Sequence, residues 1–331
     1  MLNGFNMNIP SFRTGIRGEY RAKLTDSNGR LKHDSGWRPN MVLDQGPLLM
    51  LQASGNYSSM SIGTSDIAVD ATQTGLQGTY LADVSYDSYG PTLSTNWVTL
   101  PYWVRINSPF TFGTNVGTGA IKEFVMAGFT ESSAINSAVI RVVLDTPIIK
   151  GASDQLVIEH RIYTYPDVTP ISGILDCSGV AYDWEMMYYN VDQLISGNVF
   201  PDSGITAFTG SLRTSYGAPV NSLQINGTMP VDIFSLPGGD NPSPNGNWQW
   251  SNSSVTDAAV PYRTVTLGAN VDNMNTTFDI MYLNHEMNQY NTYGAGRVIK
   301  LTRSSDGAPF TKENTHAITL QYRMFLDKYT P

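Results

Sequence analysis

The sequence predicts an all-β protein of two tandem sandwich-like domains, an internal duplication with at most short helices. Three observations lead there. Only 15% of the 331 residues are charged, against about 25% in an ordinary soluble domain, and 30 glycines with many small polar residues fill the difference. Apolar and polar residues alternate with period two in many short runs, the mark of half-buried strands. Finally, the order of the runs repeats. TFGTNV at 111 returns as TLGANV at 266, FVMAGF at 124 as FDIMYL at 278, and VIRVVL at 139 as VIKLTR at 298. The stretch TPIIKGASDQLVIEHRIYTY returns as APFTKENTHAITLQYRMFLD, so that Pro147 falls on Pro309, Lys150 on Lys312 and Arg161 on Arg323. The four offsets are 155, 154, 159 and 162 residues.

Taken in order, GIRGEYRAKLTDSNGRLKHD reads as a hairpin. Tyr20, Ala22 and Leu24 alternate with Arg21 and Lys23, Asn28-Gly29 supplies a tight turn, and Leu31 opens the return strand. In NMVLDQGPLLMLQ, the residues Val42, Leu43, Leu48, Leu49 and Leu51 fit a short helix around Gly46-Pro47 or a buried strand pair, because short apolar runs do not discriminate. SIGTSDIAVDATQTGLQG is turn-rich, with Leu76 alone offering core. Strands resume with NWVTLPYWVRINSPFTFG, then IKEFVMAGF, AVIRVVLD and QLVIEHRIYTY. Pro166 and Pro170 mark a seam, which gives domains at 1–168 and 169–331.

A net charge of −8 without a basic cluster argues against nucleic acid. The single cysteine, Cys177, permits no intrachain disulfide and no Cys-rich zinc site, and reads as a small buried apolar residue. The start MLNGFNMNIPSF lacks the basic and apolar regions of a secretory signal, and no apolar run reaches membrane-spanning length. Synthesis in a cytoplasm, without membrane insertion, is the expectation.

Catalytic signals are sparse. The four histidines stand apart at 33, 160, 285 and 316, and His160 sits on the apolar phase of its strand as a core residue. His285-Glu286 opens like a zinc-protease motif, but Gln289 stands where the second histidine belongs. Asp183 and Glu185 would share one face of a strand, as a glycosidase pair might. In GGDNPSPNGNWQW, Asp240 and Asn241 offer oxygen atoms while Trp248 and Trp250 offer flat faces for stacking on sugars. This is a candidate ligand-contact loop, although calcium would miss its bidentate acid and the indoles equally suit a strand's core face. The sequence therefore predicts no catalytic residue, no cofactor and no metal site.

The segments Asn40 to Gly46, Ile62 to Leu76, Gly119 to Phe124 and Pro147 to Tyr163 together resemble tail and tail-fibre-associated proteins of tailed bacteriophages. The likeness covers about residues 15–166, and its motifs are structural rather than catalytic. The second half lacks the early segments. The resemblance implies a non-enzymatic virion component made in the host cytoplasm, at a tail's neck, collar, tip or fibre attachment. Its implied partners are other phage structural proteins and copies of itself. A receptor- or glycan-binding module at the tail tip is the alternative reading, and a glycoside-cleaving enzyme resting on Asp183 and Glu185 is the third.

Overall fold

The structure is a computed structural model that describes residues 3–8, 12–52, 59–86, 92–128, 130–177, 179–189, 191, 223–233, 235, 238–240, 249–252, 260–270, 272, 275–286 and 295–330. Among these are twenty-three strands and two short helices, so the all-β, sandwich-like class holds. The chain divides into two units. One comprises residues 14–166, 255–262 and 326–331, and the other residues 1–13, 167–254 and 263–325.

The chain opens with β1 (Asn3–Asn8), which belongs to the second of these units, and then enters the first with β2 (Phe12–Thr25). There follow β3 (Leu31–Asp34), β4 (Arg38–Pro39), β5 (Met41–Val42), α1 (Gly46–Gln52), β6 (Ser59–Gly63), β7 (Tyr80–Ser85), β8 (Thr92–Asn96) and β9 (Trp103–Phe112). β10 (Gly119–Ala127), α2 (Glu131–Asn136), β11 (Ile140–Lys150) and β12 (Gln155–Pro166) complete this part. One sheet runs β2-β12-β9-β8, with β3 and β4 also on β2, and the other runs β5-β11-β10-β6-β7. The expected hairpin at Asn28-Gly29 is present, with Gly29 at φ 76°. Along β12, burial alternates without a break, so Leu156, Ile158, His160 and Ile162 point inward. Each buried aliphatic side chain contributes roughly 1.5–3 kcal/mol, enough in sum to hold a register in which one slipped residue would expose them all. The two sheets meet where Tyr20 of β2 stands edge-on to Phe124 of β10, ring centroids 4.9 Å apart.

The run after Met41 resolves into both readings. Met41 and Val42 form a short strand, and Gly46–Gln52 a helix with Pro47 in its first turn, where the missing N–H costs nothing. Leu43 and Leu51 are buried as expected, Met50 is buried too, and Leu48 and Leu49 are only partly so. The strand expected to begin at Asn96 begins instead at Trp103. Trp, Val, Thr, Leu and Tyr are good strand formers, but residues 97–102 form the loop between β8 and β9.

The second unit contains β13 (Ile171–Cys177), β14 (Val180–Tyr189), β15 (Leu223–Thr228), β16 (Gly238–Asp240), β17 (Gln249–Asn252) and β18 (Tyr262–Ala269). After them come β19 (Thr277–Phe278), β20 (Ile280–Glu286), β21 (Ala295–Arg303), β22 (Phe310–Thr311) and β23 (His316–Lys328). One sheet runs β13-β14-β21-β20-β15-β16, and β17, β18 and β23 pair in that order with β1 parallel to β23. β19 and β22 form a separate pair in which Phe278 packs on Phe310 at 5.4 Å.

The strand pairing recurs with the repeated text. β9 pairs β12 while β10 pairs β11; in the matching blocks β18 neighbours β23 while β20 pairs β21. The aligned lysines recur as well. Lys150 is 1% exposed and donates to Gly113 O at 2.8 Å, and Lys312 is 2% exposed and donates to Asn275 Oδ1 at 2.7 Å. Burial lowers the pKa of both ammonium groups.

Candidate functional site

The segments Asn40–Gly46, Ile62–Leu76, Gly119–Phe124 and Pro147–Tyr163 fasten to one another. A register shift between Ile121 and Glu123 on β10 turns the Glu123 carboxylate under the turn-rich segment 64–79. There it accepts hydrogen bonds from the backbone N–H groups of Ser65 (3.1 Å), Gln77 (3.1 Å) and Gly78 (2.8 Å). Arg141 of β11 completes the pair, with Nε at 2.9 Å and Nη2 at 2.8 Å from Glu123 Oε2, and both side chains are 0% exposed. Its Nη1 donates to Ile67 O and Gln73 Oε1. Gly63, opposite Glu123 on β6, leaves the space the carboxylate fills, since a Cβ there would lie 2.8 Å from Oε1. From the Asn40–Gly46 segment, Gln45 Nε2 donates to Thr74 O and Ala138 O, and Asp44 N donates to Ala71 O. Asn40 Nδ2 meets His160 Nε2 of β12 at 2.5 Å. Burial drops the His160 pKa to about 3, so the ring is neutral in the fold. Gly18 makes this reach feasible, because a Cβ there would lie 2.1 Å from Asn40 Oδ1.

The face of the β2-β12-β9-β8 sheet turned away from this core has a different character. Its side chains form rows across the strands, the first being Arg17, Tyr163, Arg105 and Ser94. Arg105 donates to Ser94 Oγ at 2.9 Å and lies 5.5 Å from the Trp103 ring and 5.9 Å from that of Tyr163. Tyr163 donates its hydroxyl proton to Glu19 Oε2 at 2.9 Å, and Arg17 pairs with Glu19 Oε1 at 3.1 Å. Arg161 lies 3.3 Å from the centre of the Trp37 ring, Lys23 pairs with Glu159 at 3.1 Å, and Arg21 donates to Asp34 at 2.8 Å. The Arg21 hydrogen bonds hold the Asp34 carboxyl well below the usual carboxylate range. At one end Trp103 packs edge-on against Tyr163 at 5.3 Å, and Tyr165 stacks on Tyr329 at 3.7 Å. Gly15 belongs to that stack, since a Cβ there would lie 3.0 Å from Tyr329. The surface is half-buried and rich in Trp, Tyr and Arg, with Arg17, Arg21 and Lys23 in ion pairs and Arg105 and Arg161 over aromatic rings, a composition found at protein contact surfaces.

The residues singled out from sequence are scattered. Asp240 ends β16, opposite Ile225, and Trp250 lies in β17, opposite Leu267. These strands belong to different sheets, while Asn241 and Trp248 lie outside the described residues. Asp183 and Glu185 do share an exposed face of β14, lining a shallow groove of about 570 Å³ with Ser172, Lys300 and Thr302. Asp183 accepts from Ser304 Oγ at 2.8 Å, and Glu185 stands across the ladder from Lys300. The arrangement is that of an ordinary polar sheet face, open to water. His285 and Glu286 end β20. Cys177 is buried, and burial raises its thiol pKa to about 11. Among the described residues no three His, Cys, Asp or Glu side chains gather as metal ligands. No protein-family model, no curated protein and no solved structure matches the chain.

Proposed function

We propose that the chain is a non-enzymatic structural protein of a bacteriophage virion, a tail component at the neck, collar, tip or fibre attachment, acting through protein–protein contacts. The aromatic and arginine-rich outer face of the β2-β12-β9-β8 sheet carries this reading. Trp103, Tyr163 and Tyr165 offer large rigid area at little conformational cost, and the ion pairs among them are closed within the chain. The sequence resemblance over about residues 15–166 supplies the virion context. The residues carrying that resemblance serve to pin one segment on another, as befits a rigid building module. Repeated modules in one chain suit quasi-equivalent places in a ring.

The test is complementation. A phage carrying Trp103→Ala, Tyr163→Ala and Tyr165→Ala together should yield particles lacking this chain, although the purified variant folds. Incorporation at the normal level would remove the face from the account. Normal incorporation with lost adsorption would favour the receptor- or glycan-binding alternative.

A further inference from the structure

The antiparallel pair β19–β22 ends on a buried lysine that faces a side-chain amide. Thr277 lies opposite Thr311 and Phe278 opposite Phe310, and the two threonine hydroxyls meet at 2.9 Å. Just beyond the pair, Lys312 N donates to Thr276 O at 2.9 Å. The pairing thus brings Lys312 and Asn275 together from 37 residues apart, with Nζ 2.7 Å from Asn275 Oδ1. Lys312 is 2% exposed, and its Nζ forms no ion pair among the described residues. A buried ammonium answered only by an amide is costly, and giving up its proton relieves the cost. Burial lowers the Lys312 pKa in this sense, and the charge of Asp272, just before Asn275 in the chain, opposes the shift in part. A neutral amine held against a carboxamide is a nucleophile beside an electrophile. Fixed juxtaposition of that kind reaches effective molarities of about 10⁵ M or more.

We infer that Lys312 and Asn275 join in an intramolecular isopeptide bond once this unit has folded. Lys312 Nζ attacks Asn275 Cγ, the Nζ–Cγ bond forms, the Cγ–Nδ2 bond breaks, and Nδ2 leaves as ammonia. One proton passes from Nζ to the leaving nitrogen, with the Asp272 carboxylate as its carrier. The balance needs no oxidant, metal or cofactor. The aligned Lys150 is an internal comparison. It is as deeply buried, at 1% exposed, but its Nζ donates to the main-chain carbonyl of Gly113 at 2.8 Å, where aminolysis would cut the chain. Both copies keep the buried lysine, and the second sets a side-chain amide against it. The bond ties β19 to β22 across 37 residues. It restrains the unfolded chain as a disulfide does, without requiring an oxidising compartment.

Intact-mass spectrometry of the purified full chain tests it. Wild type should weigh less than its sequence mass by one ammonia. Tryptic digestion should release a branched peptide that joins Asn275 to an uncleaved Lys312. Lys312→Met keeps the apolar stem and removes the nucleophile, so it should have the full sequence mass, as should Asn275→Ala. Lys150→Met should lose the ammonia as wild type does. Asp272→Asn should leave most of the chain unlinked, and linkage at the wild-type level would overturn the role given to Asp272. Wild type at its full sequence mass would overturn the inference. So would loss of ammonia without the branched peptide, which marks a succinimide at an asparagine, or loss of ammonia that persists in Lys312→Met. The wild-type peptide decides the matter whether or not each variant folds. The bond is independent of the virion reading, and either can fail without the other.

Discussion

Glu123 is the residue whose removal should cost this fold most. Glu123→Ala leaves the Arg141 guanidinium, 0% exposed, without its counter-charge, and deprives three backbone N–H groups of their acceptor. Breaking one side of a buried ion pair costs about 3–5 kcal/mol, and each orphaned buried donor about 1–3 kcal/mol. These do not add, since segment 64–79 can lift and admit water once the carboxylate is gone. We expect a loss of about 4 kcal/mol. At about 2–4 °C per kcal/mol for a unit of this size, that lowers Tm by roughly 10 °C. Calorimetry gives the shift, and hydrogen exchange should show the Ser65, Gln77 and Gly78 amides losing protection. The double substitution Glu123→Leu with Arg141→Met should recover part of the loss, because it removes the stranded charge. A Tm within about 2 °C of wild type, with those amides still protected, would refute the view that Glu123 fastens the segment.

His160 makes stability depend on pH. Its pKa is about 3 in the fold against an ordinary 6.5, so below about pH 6.5 the unfolded chain takes up a proton that the folded chain refuses. Its share of stability is therefore intact above that point and is lost as pH falls towards 3, reaching about 2 kcal/mol at pH ~5. His160→Gln should flatten this part of the curve in urea titrations; an unchanged slope would contradict it. Gly18→Ala should displace Asn40 and destabilise by about 1–3 kcal/mol, read from the same titrations, and a neutral result would show the Asn40–His160 contact to be dispensable. Cys177 should resist thiol reagents until the chain is denatured, as its burial and its pKa of about 11 require. Asp183→Asn with Glu185→Gln should change stability by less than about 0.5 kcal/mol, and wild type should release no reducing ends from host polysaccharide. Release that the double variant abolishes would revive the glycosidase reading.

Strands with one wet face were legible in the sequence, because alternation records which side chain meets the core. The β12 run and the hairpin at Asn28-Gly29 are the clearest cases, and the recurring order of blocks reappears as recurring strand pairs. Where a sheet is covered on both faces, alternation fails. From Glu123 to Ala127 every side chain of β10 is buried, and segment 64–79 looked like solvent-facing turns because three of its backbone N–H groups are satisfied by one distant carboxylate. The bulge that aims Glu123 there leaves only a weak mark in the text, a charged residue amid IKEFVMAGF. The loop at 97–102 was read as strand because its residues are strand formers; Asn96, whose side chain bonds the loop backbone, was the available clue. The outer aromatic face was half visible, since Tyr163 falls on the polar phase of its strand, but Trp37 and Tyr329 reach the same unit from far along the chain. The loop holding Asp240, Asn241, Trp248 and Trp250 is described only at its two ends.

The central claim is that this chain is a part of a particle. Immunogold electron microscopy of purified virions, with antibody against the folded protein, tests it most directly. The account predicts label at a fixed place on the tail in repeated copies. Unlabelled particles, with the protein recovered only as free chain in the lysate, would contradict it.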